Sequence, residues 1–266
     1  GVIGSTDAHT SLPSAEEDNF HGKMATDSVP SRKSGGWSED ARGTFGWGMS
    51  ASGLAAVWAT ENTREAILAA MRRREVYATT GPRIAVRVYG GWDLAEEMMD
   101  DARYPTSLRT QAVPMGGEIV GAAEGGQFSL LIEAQADPKG AYLDRVQVIK
   151  GWVDASGATH ELVYDVAWAG EGRVAEDGSL LPVGSSVDMQ TGLTTNSIGA
   201  AGLSAVWSDP QFDPQQAAFY YVRVLQIPTA RHSLLDKLAL ADPEIDTRRP
   251  DTIQERAYTS AIWYRP

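Results

Sequence analysis

A chain of 266 residues with a formal charge of −12 has no surplus of cations to neutralise phosphates. This excludes nucleic acid as a partner and argues against an anionic membrane surface. The absence of cysteine excludes zinc–thiolate centres, disulfides and thiol nucleophiles and leaves the compartment open. Its 42% apolar content suffices for one large or two modest domains.

The chain opens with Gly1-Val-Ile-Gly-Ser-Thr-Asp7-Ala-His9. Val2 and Ile3 read as a short apolar strand, and in an extended segment Asp7 and His9 point the same way. A carboxylate and an imidazole projecting together from a strand end form a two-donor metal ligand. On spacing alone, an Asx turn beside a surface histidine is the more economical reading. Residues 10–53 carry Gly, Ser, Pro and charge without periodicity and predict a long loop excursion. Within it, Glu16, Glu17 and Asp18 read as a solvated acidic edge. Lys23 is the cation placed to meet an anionic substrate, with an exposed loop lysine as the alternative.

Leu54 to Ala59 is apolar but short enough for helix or strand. A helix is predicted from an Asn62 cap with Glu65 three residues on, carrying Ile67, Ala70, Met71 and Arg74 on one side. Arg72 to Arg74 then complement the C-terminal end of its dipole. Val76 to Thr79 reads as a strand, and Gly81-Pro82 breaks it, so a domain boundary is expected between 1–82 and 83–266. Tyr77 is expected to pack toward the N-terminal side of that boundary.

From Ile84 the pattern becomes strands and turns. Ile84, Val86 and Val88 alternate with Ala85 and Arg87, and Phe128, Leu130 and Ile132 alternate with Ser129, Leu131 and Glu133. Asp154-Ala-Ser-Gly157 separates two strand-like runs as a hairpin turn. Phe219 to Ile227 is the longest strand, and Ala261 to Tyr264 closes the chain. No long helix is predicted between 110 and 230, so a mostly antiparallel β-sandwich is the simplest architecture, with the only long helix near Asn62. Pro228, Pro243 and Pro250 mark the loop before the last strand.

Other constellations carry less. His160 and His232 lack short-spaced ligand neighbours and read as surface histidines. Asp209 and Asp213 read as turn caps rather than calcium ligands. No Gly-x-Ser-x-Gly elbow supports a serine hydrolase. Gly35-Gly36, Gly116-Gly117 and Gly125-Gly126 fit neither a P-loop nor a dinucleotide fingerprint. Trp152, Trp168, Trp207 and Trp263 would suit a sugar platform or a β core, and core is favoured.

The string Gly4-Ser-Thr-Asp-Ala-His9 resembles the late metal-ligand motif of the PHP (polymerase and histidinol phosphatase) metallohydrolase superfamily. Further pieces are similar to a bacterial branch of it catalogued as a domain of unknown function. They are Glu17-Asp-Asn-Phe-His-Gly-Lys23, Ser52-Gly-Leu-Ala-Ala-Val-Trp-Ala59, Asn62-Thr-Arg-Glu65, Arg73-Arg-Glu-Val-Tyr-Ala-Thr-Thr-Gly-Pro-Arg-Ile84 and Gln254-Glu-Arg-Ala-Tyr-Thr-Ser-Ala-Ile-Trp-Tyr264. The branch places an aromatic residue at His21, which is therefore not counted as a ligand. The resemblance implies an α+β chain: the C-terminal portion of a PHP-like α/β barrel, followed by the sandwich.

It further implies hydrolysis of a small-molecule ester, phosphoesters first, with clustered divalent ions (zinc, manganese or iron), more than one in the full-length parent. Asp7 and His9 would be two ligands. The others would come from a missing N-terminal segment or a second copy of the chain. The alternative is a non-catalytic sandwich module for binding or interaction. The chain starts with Gly rather than Met, so a soluble, periplasmic or secreted protein is equally compatible.

Overall fold

The computed structural model describes residues 1–12, 16–33, 46–51, 53–102, 104–242 and 244–266. Gly35-Gly36, Ser52 and Pro243 lie outside the described residues. In chain order the regular elements are β1 (Leu54–Val57), α1 (Arg64–Arg72), β2 (Val76–Thr79), β3 (Ala85–Trp92), β4 (Ala112–Pro114) and β5 (Glu118–Val120). There follow β6 (Phe128–Gln135), β7 (Leu143–Val153), β8 (Thr159–Trp168), β9 (Gly202–Ser208), β10 (Ala218–Gln226) and β11 (Thr229–Ala230). The last are α2 (His232–Leu240), β12 (Thr252–Ile253), β13 (Arg256–Thr259) and β14 (Ile262–Arg265). No helix among the described residues is long and apolar enough to cross a membrane.

Two sheets face each other. The smaller runs β4-β3-β6-β9, antiparallel throughout. The larger is centred on β10, which pairs on one flank with β7 and then β8. Its other flank is shared by two successive strands, β13 and β14. From β13 the sheet continues antiparallel through β2 to β1, and from β14 it continues in parallel to β5. The described strands form mostly antiparallel sheets with two helices and close no barrel.

Period-two alternation builds the core, because successive side chains leave opposite faces of a strand. Val86 and Val88, Leu130 and Ile132, Val146 and Val148, and Tyr220, Val222 and Val224 meet between the sheets. Leu131, expected on a polar face, is completely buried. The other side of the small sheet is covered by Leu94 and Leu108, so β6 is buried on both faces. A charge is enclosed as well: Lys150 Nζ donates to Asp209 Oδ2 at 2.6 Å, and Tyr220 donates to the same oxygen at 2.7 Å. Asp209 does cap a turn, accepting from Gln211 N at 2.9 Å. Asp213 caps the next one through Gln215 N at 2.8 Å. The Asp154 hairpin forms as expected, its carboxylate accepting from Ser156 N and Ala158 N.

Strand pairing crosses the boundary expected at residue 82. Thr79 of β2 is in register with Ala257 of β13, and Tyr77 packs into the intersheet core, its hydroxyl donating to Ile84 O at 3.1 Å. Helix α1 is capped one residue later than expected, by Thr63, whose hydroxyl accepts from Ala66 N. It is not the only long helix, since α2 has the same length.

Candidate functional site

The first eight residues form no regular strand, contrary to the expectation for Val2 and Ile3. They run along β2, with Gly1 beside Val76 and Gly4 beside Thr79, pinned by Val2 N donating to Ser260 Oγ (2.9 Å) and Gly53 N donating to Ser5 O (3.1 Å). At Gly4 the approach is so close that a Cβ would stand 2.5 Å from Leu54 O and 2.8 Å from Thr79 O, so only glycine fits. Asp7 then turns the chain with φ +49°, in the left-handed region where Asp is among the tolerated residues.

Asp7 and His9 are therefore brought together by a turn, not by the alternation of a strand. His9 Nδ1 lies 3.0 Å from Asp7 O, and His9 N donates to Lys23 O at 2.7 Å. That backbone contact brings Lys23 back to the start of the chain, where its ammonium pairs with Asp7 Oδ2. The hydrogen bond from Lys23 holds the Asp7 carboxyl below its ordinary range. Asp7 and Lys23 line a cavity of about 360 Å³ with Ser5, Phe20, Thr80 and Tyr258, a volume suited to a small ligand. Of the three residues singled out in the sequence, Asp7 and Lys23 line the cavity, and His9 adjoins them through its contacts with their carbonyls without being part of the lining.

The donor set fits part of a metal site. With Nδ1 on a backbone carbonyl, His9 has the ring orientation in which Nε2 is the ligating nitrogen. Asp7 supplies the carboxylate. A catalytic metal takes three or more protein ligands. Among the described residues no group of three His, Asp or Glu side chains stands close enough to hold an ion.

The far wall of the cavity (Phe20, Met49 and Ala51) is fastened by residues that sequence reasoning misplaced. Glu17 is not on a solvated edge. It is buried, and its carboxylate accepts from Ala51 N at 2.8 Å and from His232 N, in the first turn of α2, at 2.7 Å. An acidic group at a helix N-terminus satisfies an orphan donor and complements the dipole. His232 is likewise buried, packed on Phe20 with ring centroids 4.3 Å apart and planes tilted by 37°, its Nε2 2.7 Å from Met49 O.

One turn along α2, Asp236 receives Lys33 Nζ at 2.7 Å and Trp47 Nε1 at 2.9 Å. Burial pushes its carboxyl up, but the hydrogen bonds of His232, Lys33 and Trp47 outweigh that and leave it lowered. Arg231, just before the helix, donates to Trp47 O at 2.6 Å and to Met49 O. The i, i+4 spacing of His232 and Asp236 becomes a signal for this cluster only once a helix is assigned there.

With the cavity described, the chain can be placed. A family model described as "Protein of unknown function (DUF3604)" matches residues 1–266. The chain belongs to that family. No curated protein and no solved structure matches it. For DUF3604 the geometry around Asp7, His9 and Lys23 therefore carries the functional reading by itself.

Proposed function

We propose that this DUF3604 chain carries part of the site of a metal-dependent hydrolase acting on an ester, with phosphoesters the first candidates. The observation that carries the reading is the Asp7–Lys23 pair in the lining of a small-molecule-sized cavity, with His9 beside it, hydrogen-bonded to the backbone carbonyls of both residues. Asp7 Oδ and His9 Nε2 would be two ligands of a divalent ion (zinc, manganese or iron), as the PHP resemblance implies. Such an ion, when bound, lowers the pKa of its water and polarises the ester. The chain's own part is to orient His9 through its contact with the Asp7 carbonyl. Lys23, held at the cavity by Asp7, supplies positive charge to the ester's anionic group.

The remaining ligands, and the rest of a PHP-like barrel, would come from a further segment of the parent or a second copy. A covering partner is supported by the exposed apolar side chains Val2 and Ile3 (44% and 58% exposed) together with Leu68 and Met71 of α1. They border the edge strand β1, which among the described strands pairs with β2 alone. The sandwich-module alternative finds less support: Trp152 and Trp207 pack against the core, and Trp168 and Trp263, which are exposed against expectation, stand on β8 and β14 with β7 and β10 between them and form no row.

The test uses the purified full-length parent. Asp7→Asn and His9→Ala should each weaken metal binding by about tenfold or more and abolish most phosphoester turnover, with the melting temperature unchanged. Unchanged metal content in both variants would remove Asp7 and His9 from the site.

A further inference from the structure

Behind the cavity wall stands a carboxyl group that the metal reading leaves unused. Glu255, immediately before β13, is 6% exposed, and its Oε2 is hydrogen-bonded to the hydroxyl of Thr80. Thr80 is one of the residues lining the cavity. Its Oγ1 also accepts from Arg256 N at 2.8 Å. The Arg256 carbonyl, 3.4 Å from Oγ1, already accepts from Thr80 N at 2.9 Å.

A hydroxyl has one proton and two acceptor sites. Arg256 N fills one acceptor site, which leaves the Thr80 proton two destinations. Toward an ionised Glu255, which can only accept, Thr80 must donate, and the cavity is left facing a lone pair. When Glu255 carries the proton, its own O–H fills the second acceptor site of Thr80. The Thr80 proton is then free to turn into the cavity.

We propose that Thr80 and Glu255 form an anion-recognising corner of the cavity, in which protonated Glu255 donates to Thr80 Oγ1 and Thr80 donates to an oxygen of an anionic ligand. The inference rests on the cavity being the ester site and names the group that sees the ester's charged oxygens. Lys23 would hold the same ligand by charge from another part of the cavity. Three charged groups face Glu255: Glu17 from the excursion, Arg231 from the residue before α2, and Arg256 from its own strand. Burial is the largest cause that raises the Glu255 carboxyl and the Glu17 carboxylate adds to it, for a net value of about 7. Thr80 and the two arginines pull it down. The proton is therefore on Glu255 below neutrality and leaves above it, and a bound anion would retain it.

Sulfate is a suitable probe, because it offers only acceptor oxygens and stays dianionic from mildly acid to mildly alkaline pH. The full chain is titrated with sulfate by calorimetry at pH 6 and pH 8.5. The unmodified chain should bind about tenfold more weakly at the higher pH. Glu255→Gln places an amide donor against Thr80 at every pH, so it should bind as the unmodified chain does at pH 6 and lose the difference. Thr80→Ser keeps the hydroxyl and should keep the difference. Lys23→Met should lose binding at both pH values, which locates the anion in the cavity.

If the difference persists undiminished in Glu255→Gln, it belongs to another group, and the proposal is overturned with the metal reading intact. Sulfate bound regardless of Lys23→Met overturns it in the same way. No sulfate binding in any of the proteins overturns both this proposal and the assignment of the cavity to an anionic ester.

Discussion

Between the sheets, Phe128 touches rings on several sides: Tyr220 at 4.6 Å, Phe212 at 5.3 Å and Trp92 at 5.9 Å. Around the first turn of α2, the buried contacts are instead hydrogen bonds and ion pairs from Glu17, Lys33, Trp47, Arg231 and Asp236. Apolar burial is non-directional and scales with area, so the sandwich is stabilised by many small, interchangeable contributions. A buried polar group is worth little net while paired and costs much once its partner is gone. The difference teaches that the cavity's back wall is specified by a few groups, each irreplaceable in kind. The sheets behind it are specified by shape and volume.

Breaking the apolar side of this comparison should have the largest effect. Phe128→Ala leaves a ring-sized hole at the centre of the intersheet core and should cost about 3–5 kcal/mol, read by urea unfolding. It should lower the stability of both sheets together. A loss confined to one sheet would show that they do not share a core.

The polar side predicts a pH dependence that an apolar core has no means to produce. The Glu255 carboxyl is raised in the fold from its ordinary 4.5 to about 7, chiefly by burial. A raised carboxyl keeps its proton in the folded state while the unfolded chain has lost it. The penalty is therefore absent below 4.5, grows as the pH rises, and is complete above about 7. It amounts to on the order of 3 kcal/mol. Unfolding midpoints measured from pH 5 to pH 8 should fall, and Glu255→Gln should flatten the fall. Parallel slopes for the two proteins would refute the assignment.

A smaller and more local effect is expected from Glu17→Ala. It leaves Ala51 N and His232 N without their acceptor and should cost about 2 kcal/mol. Amide exchange should accelerate over 46–51 and the first turn of α2, while β6, β7 and β10 stay protected. Equal acceleration in the strands would mean that the polar cluster and the sandwich open as one unit.

The strands of the sandwich were legible because their signal is local: alternation every second residue, and turn residues such as Asp154 and Gly157. Leu131 was misplaced because alternation shows two faces without showing that a loop covers the second. The polar cluster was illegible for a different reason. Glu17 and His232 are separated by most of the chain, and nothing near Glu17 distinguishes a solvated carboxylate from one that caps a distant helix. Pro-rich flanks made the segment of α2 read as loop, although His232 to Leu240 carries a helical pattern once its start is known. At the site, the residue types Asp7, His9 and Lys23 were readable. The left-handed turn at Asp7 that gathers them was not, since Asp is compatible with either conformation.

The double flank of β10 bears on how the chain assembles. The strands that join β2 and β5 to the centre of the large sheet lie at 256–265, after every other strand. A ribosome releases the β1–α1–β2 unit and the β7–β8–β10 ribbon before these strands, and each waits with a row of unpaired amides and carbonyls. Such open edges recruit strands from neighbouring nascent chains. Synthesis of this protein therefore passes through a window of vulnerability that closes only when β13 and β14 dock side by side. Within that window, chaperone supply and elongation rate govern the yield of folded chain more than the final stability does.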